Sequence, residues 1–153
     1  EFPLPNIKIA FYPEPVSIDS GCLRVIPGSH IPGSPDLLEP LRSSYKYPDS
    51  RFFGVVPSQI PSYAFESQPG DVIVFTEAVL HAAFSGNIGR QQHAISFFAN
   101  PKTEEEVSLI RRQYMSTKGG SYRPSLSNIN SDRPRIRRMV SRLVDLGFET
   151  SKV

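Results

Sequence analysis

The sequence predicts a mainly β protein, a sandwich or jelly roll, followed by C-terminal helices. Fifteen prolines among 153 residues interrupt the chain and disfavour long helices in its first hundred residues. Short runs rich in β-branched and aromatic residues lie between the prolines and the Pro-Gly turns. Beyond residue 100 the apolar residues change to helical spacing. We therefore expect a β core over residues 1–100 and a helical appendage over 101–153 that packs on it within one domain.

Six runs predict the strands of the core, and one segment between them predicts a short helix. The helix is expected over residues 35–45, where Pro40 disturbs it. The strands are expected over 7–12, 22–26, 62–66, 71–75, 79–84 and 92–99.

The appendage carries two helix signals separated by a loop. Thr103 precedes three glutamates, which suits the start of a helix because acidic side chains favour its N-terminal end. Residues 116–132 are rich in Ser, Gly, Asn and Pro and predict a loop. A last helix is expected from Pro134 to Leu146, with Gly147 ending it.

Composition excludes several classes of function. A formal charge of +2 is too small to indicate nucleic acid or a membrane surface as the main partner. No apolar run approaches the roughly 20 residues that a membrane-spanning helix needs. One cysteine, Cys22, excludes an internal disulfide. We therefore expect a cytoplasmic protein with a small-molecule substrate, and we make no prediction of its oligomeric state.

The stretch "GDVIVFTEAVLHAAFSGNIGRQQHAISFF", residues 70–98, predicts two strands with His81 in the first and Arg90 before the second. A histidine at a sheet rim can bind iron or zinc through its imidazole nitrogen. A guanidinium offers a two-pronged donor for a carboxylate. The same pattern also fits a histidine at the sheet edge whose hydrogen bonds are made within the protein, together with an arginine on the surface.

Three segments resemble the phytanoyl-CoA dioxygenase family, whose members are iron(II)- and 2-oxoglutarate-dependent oxygenases. They are "DSGCLRVIPGSH" at residues 19–30, "GDVIVFTEAVLHAAF" at 70–84, and residues 87–97, in the order and spacing of the family. The resemblance implies a double-stranded β-helix (a cupin-like jelly roll), of which residues 1–100 would be the C-terminal part. It also implies hydroxylation of a small organic or acyl substrate with dioxygen and 2-oxoglutarate.

The resemblance assigns roles to two residues. His81 matches the distal iron-binding histidine, and Arg90 matches the arginine that pairs with the far carboxylate of 2-oxoglutarate. A shifted alignment would place Gln92 at the second position, where it could not supply the charge. Some members carry a hydroxyl two residues after the histidine, and Ala83 stands there in this chain.

The family's other iron ligands form a His-x-Asp or His-x-Glu triplet, which this sequence lacks. "HIP", "HAA" and "HAI" follow its three histidines without an acid in the third place. We expect an N-terminally truncated member that is inactive alone, with the longer parent protein as the enzyme. A metal-free jelly roll that binds a ligand is the alternative. A module that binds nucleic acid or an anionic surface through its arginine-rich last helix is the other.

The remaining candidates have plain structural interpretations. His30 fits a turn, although a polar group at the mouth of a pocket is the functional alternative. His93 is expected to point away from the face of Ala94 and Ser96 by strand alternation. Cys22 fits a small buried hydrophobe. The arginines between residues 133 and 142 fit a solvated face.

Overall fold

The computed structural model describes residues 4–34, 38–44, 51, 54–86, 88–115, 123–148 and 150. Six strands and four α-helices lie in these ranges, together with a 3-10 turn at Pro57–Gln59. The strands are β1 (Asn6–Phe11), β2 (Leu23–Val25), β3 (Tyr63–Phe65), β4 (Ile73–Phe75), β5 (His81–Ala83) and β6 (His93–Phe98). The helices are α1 (Glu39–Ser44), α2 (Glu104–Met115), α3 (Leu126–Ile129) and α4 (Pro134–Asp145).

The strands form two antiparallel sheets of three strands each. The first has the order β4-β1-β6 and the second β3-β2-β5. In β1, Ala10 is buried while Ile7 and Phe11 are 46% and 36% exposed, so alternate side chains face the core and the outside. Buried residues of both sheets form one hydrophobic core: Tyr12, Val16, Cys22, Leu23, Val25, Ile73 and Val79. A sheet-rich fold with C-terminal helices is thus confirmed.

All six predicted strands are present: β1 begins and ends one residue earlier than predicted, and each of the other five is two or three residues shorter than predicted. Helix α1 lies within the predicted 35–45 segment, whose residues 35–37 and 45 fall outside the described ranges. The prediction of a loop over 116–132 was wrong at α3. Ser125 caps this helix by accepting a hydrogen bond from the Ser127 backbone N–H at 3.2 Å. The serine-rich composition of the segment favoured a loop and concealed the helix signal.

The chain divides into two compact units, residues 1–98 and 99–153. In the second unit, Thr103 and Glu106 form a capping box at the start of α2. Thr103 Oγ1 accepts from the Glu106 N–H at 3.2 Å, and Glu106 Oε2 accepts from the Thr103 N–H at 3.2 Å. Arg111 in turn donates through Nε to the Leu146 carbonyl at 2.7 Å, which ties α2 to the end of α4. Packing of this unit on the β core stays a prediction.

None of the described helices is long and apolar enough to cross a membrane.

Two glycine backbones meet at one end of the β unit. Gly21 has φ +89°, and a Cβ built on it would lie 2.7 Å from Gly86 Cα, too close for any side chain. A Cβ on Gly86 would lie 3.1 Å from Arg90 Nε. The turn before β2 and the loop after β5 therefore approach each other closely enough that Gly21 must be glycine, while a side chain at Gly86 would press on Arg90.

We expect Gly21→Ala to lower the free energy of unfolding by about 3 kcal/mol. A left-handed backbone costs an alanine about 1–2 kcal/mol, and the forced separation from Gly86 adds an overpacking cost of similar size. Gly70→Ala is the matched control, since Gly70 has φ +103° with open space around it. Urea unfolding of both variants measures the difference, and equal losses would show that the contact with Gly86 is not tight.

Candidate functional site

His81 lies on the inner face of the second sheet, at its exposed margin. It pairs directly with Val25, which is buried in the core, and directly opposed residues of antiparallel strands share a face. The His81 ring also meets the ring of Phe75 from the first sheet edge-on, with centroids 5.0 Å apart. The imidazole therefore stands between the two sheets, while the residue remains exposed.

One nitrogen of the His81 ring is already engaged by the backbone. Nδ1 lies 2.9 Å from the Val79 carbonyl oxygen. Because a carbonyl can only accept, Nδ1 must carry the hydrogen. In the neutral imidazole this leaves the Nε2 lone pair for another partner, and such second-nitrogen hydrogen bonds orient metal-binding histidines.

A buried ion pair occupies the inner face of the first sheet beside Phe75. Lys8, the cross-strand neighbour of Phe75, places Nζ 2.7 Å from Glu77 Oε1, and the Glu77 side chain is only 4% exposed. Ser96 Oγ donates to the same carboxylate oxygen at 2.5 Å, and Asn6 Oδ1 accepts from the Glu77 N–H at 2.8 Å. Sequence reasoning missed this pair, although Lys8 shares the inward phase of Ala10 in β1.

Arg90 lies at the other end of the core, over the two glycines. It is half-buried, its Nη1 donates to the Gly21 carbonyl, and its guanidinium carbon is 5.7 Å from the centre of the Tyr12 ring. That distance allows a cation–π contact. Among the described residues, no carboxylate lies within ion-pair distance of Arg90, so its charge is not compensated locally.

Tyr12 places a phenol in the core under Arg90. The residue is 1% exposed, and its hydroxyl makes no hydrogen bond to any described group. Burial raises the pKa of Tyr12, and the nearby Arg90 guanidinium and Leu23 backbone oppose the rise. The phenol therefore stays protonated as an unused donor. Its strand position, in phase with Ala10, is the sequence signal that could have identified it.

His81 and Arg90 are joined by one strand of the sheet. Val25, opposite His81, and Gly21, the acceptor for Arg90, are four residues apart, which is at most about 13 Å of strand. Within the described ranges β5 pairs only with β2, and β6 only with β1. In the described part of the chain both are therefore edge strands, and the edge position of β5 accounts for the exposure of His81.

The described residues contain no group of three or more His, Cys, Asp or Glu side chains able to hold a metal ion. The described residues therefore do not by themselves supply a complete metal site.

A cleft of 340 Å³ is lined by Arg90 together with Glu14, Ser20 and Ile88. Its volume falls in the range of small-molecule sites. Glu14 Oε1 accepts from the Gln91 backbone N–H at 3.0 Å, so a carboxylate already occupies this wall.

The other predicted positions have no part in this arrangement. His30 is exposed in the turn at residues 27–30, and Gln92 is exposed just before β6. His93 stacks on Phe11 at 5.2 Å on the outer face, as strand alternation predicted. Cys22 is fully buried. The arginines from 133 to 142 that were predicted to be solvated are exposed: Arg133, Arg135, Arg137, Arg138 and Arg142.

The Lys8–Glu77 pair predicts non-additive effects on stability. Lys8→Met or Glu77→Gln alone leaves one buried charge without its partner and should cost about 2–4 kcal/mol of unfolding free energy. The double variant removes both charges and retains an acceptor for Ser96, so it should cost at least about 1 kcal/mol less than the sum. A double-mutant cycle by urea unfolding checks this, and strict additivity would mean that the two charges do not interact.

The buried thiol and phenol predict a loss of stability at alkaline pH. Burial raises the pKa of Cys22 as it does that of Tyr12, so the unfolded chain ionises first, from about pH 8.5 for cysteine and about pH 10 for tyrosine. The folded protein then binds more protons, and the free energy of unfolding falls as pH rises. Urea unfolding between pH 7 and 10.5 measures the slope. Cys22→Ala with Tyr12→Phe should flatten it, whereas an unchanged slope would contradict the assignment.

The pattern of the family described as phytanoyl-CoA dioxygenase (PhyH) matches residues 4–91, which is 88 of the 153 residues. No curated protein and no solved structure gives a significant match to the chain. The match covers more than half of the sequence and includes the five strands β1 to β5, with His81, and also Arg90. The chain belongs to the phytanoyl-CoA dioxygenase family.

Proposed function

We propose that this chain forms part of an iron(II)- and 2-oxoglutarate-dependent dioxygenase that hydroxylates a small organic or acyl substrate. The observation that supports this proposal most directly is the orientation of His81. It stands between the sheets with Nδ1 held by the Val79 carbonyl and Nε2 left for a metal. Family membership supports the oxygenase class. The chain crosses from one sheet to the other after β1, β3, β4 and β5, and these repeated crossings support the double-stranded β-helix.

The chain would contribute one iron ligand and one anchor to this enzyme. His81 is the metal ligand and Arg90 the anchor for the far carboxylate of 2-oxoglutarate. The uncompensated charge of Arg90 and the unused phenol of Tyr12 beside it suit a carboxylate. The remaining histidine and carboxylate would come from a strand outside this sequence, and the free edge of β5 next to His81 is where such a strand could pair.

The first experiment is to translate the reading frame upstream of the codon for Glu1. A His-x-Asp or His-x-Glu triplet there would identify the missing ligands. The protein extended to include it should convert 2-oxoglutarate to succinate with iron(II), whereas the 153-residue chain alone should not. An extended frame without such a triplet would contradict the oxygenase proposal and leave a metal-free binding jelly roll.

In the extended protein, His81→Ala should reduce iron-dependent 2-oxoglutarate turnover by at least about 100-fold. Removing a residue that only hydrogen-bonds to a metal ligand already costs about 10–100-fold, and removing the ligand itself should cost more. His93→Ala is the matched control, since His93 lies on the outer face against Phe11 and should retain turnover. Succinate production and iron content measured on both variants test the assignment. Full turnover by His81→Ala would show that another residue binds the metal.

A further inference from the structure

We propose that the Tyr12 hydroxyl is a second donor to the carboxylate that Arg90 holds. The inference rests on the proposed function, since it concerns the far end of 2-oxoglutarate or of another dicarboxylate at the same place. It concerns a residue to which the family resemblance gives no role.

Burying the Tyr12 hydroxyl without a hydrogen bond costs folding free energy. Tyr12 is 1% exposed, and its hydroxyl finds no partner among the described residues. A buried hydroxyl without a hydrogen bond is destabilising, and a phenylalanine would fill the same volume without that penalty. A hydroxyl kept at such a position fits a group that is satisfied by a ligand.

Arg90 covers the Tyr12 ring, and the two side chains combine a fixed positive charge with a neutral O–H donor. Burial raises the pKa of Tyr12, so the phenol remains a donor and adds no negative charge against an anion. A carboxylate accepts hydrogen bonds only, through two oxygens, and matches this pair of donors.

Access of a ligand to the Tyr12 hydroxyl depends on Arg90. Arg90 is half-buried and is held by a single protein acceptor, the Gly21 carbonyl. A carboxylate can replace that carbonyl as the acceptor for the guanidinium, because a charged acceptor binds it more strongly. Movement of Arg90 from Gly21 toward the carboxylate would uncover the phenol. Ala83 stands where some family members have a hydroxyl, and Tyr12 would supply that donor from the opposite sheet.

Ligand-observed NMR titration of the 153-residue chain with 2-oxoglutarate tests the inference without requiring turnover. Tyr12→Phe should weaken binding of 2-oxoglutarate by about tenfold or more, the effect expected for a hydrogen bond to a charged group. Binding of 2-oxobutanoate, which lacks the far carboxylate, should be the same for wild type and Tyr12→Phe. Tyr63→Phe removes the hydroxyl of an exposed tyrosine and should leave both affinities unchanged.

Thermal unfolding of the ligand-free proteins excludes a merely structural effect. Tyr12→Phe should melt at the same temperature as wild type or higher, because it removes an unsatisfied hydroxyl. A lower melting temperature would show that the hydroxyl has a partner within the protein and would overturn the inference.

The outcomes separate the inference from the proposed function. If Arg90→Gln weakens 2-oxoglutarate binding and Tyr12→Phe does not, Arg90 is the anchor and the inference about Tyr12 is wrong. If wild type does not bind 2-oxoglutarate, or Arg90→Gln leaves binding unchanged, the assigned anchor and the inference fail together. Weaker binding with both variants, at unchanged melting temperature for Tyr12→Phe, supports both.

Discussion

The close approach of the Gly21 and Gly86 backbones is the constraint on which the inner end of the candidate site depends. It brings the turn before β2 against the loop after β5, and that loop leads to Arg90. Because the space beside Gly86 is filled by the Arg90 side chain, the guanidinium is directed onto the Gly21 carbonyl and over Tyr12. A side chain at Gly86 would press on the arginine, and one at Gly21 would force the two backbones apart, so the two glycines help to position the Arg90 charge.

His81 and Ser96 lie on strands at the edges of the two sheets. β5 carries His81 and β6 carries Ser96, and within the described ranges each strand has a neighbour on one side only. The inner faces of the two sheets carry an imidazole with one free nitrogen, an ion pair and an arginine, yet the described residues contain no group of three metal-binding side chains. On the proposed function, the other iron ligands would have to come from outside this group.

Local patterns predicted the strands and the two faces of the sheets, because alternation and Pro-Gly turns are encoded within a few residues. His93 on the outer face is an example. The pattern did not reveal the Lys8–Glu77 pair, whose members are 69 positions apart, or the contact between Gly21 and Gly86. Both arise only when the sheets pack. The missing partner of the Tyr12 hydroxyl depends in the same way on every group around it.

The two ends of the inner wall differ in charge, and this difference would orient a dicarboxylate. Near His81, the charge of Lys8 is already balanced by Glu77, so that end offers no net attraction for an anion. At the far end, Arg90 has no carboxylate partner among the described residues, and Tyr12 is neutral. On the proposed function, the far carboxylate of 2-oxoglutarate would be drawn to Arg90, whose charge has no ion-pair partner among the described residues. The other end of the molecule would then point along the wall toward the free nitrogen of His81, where a metal would be needed to hold it.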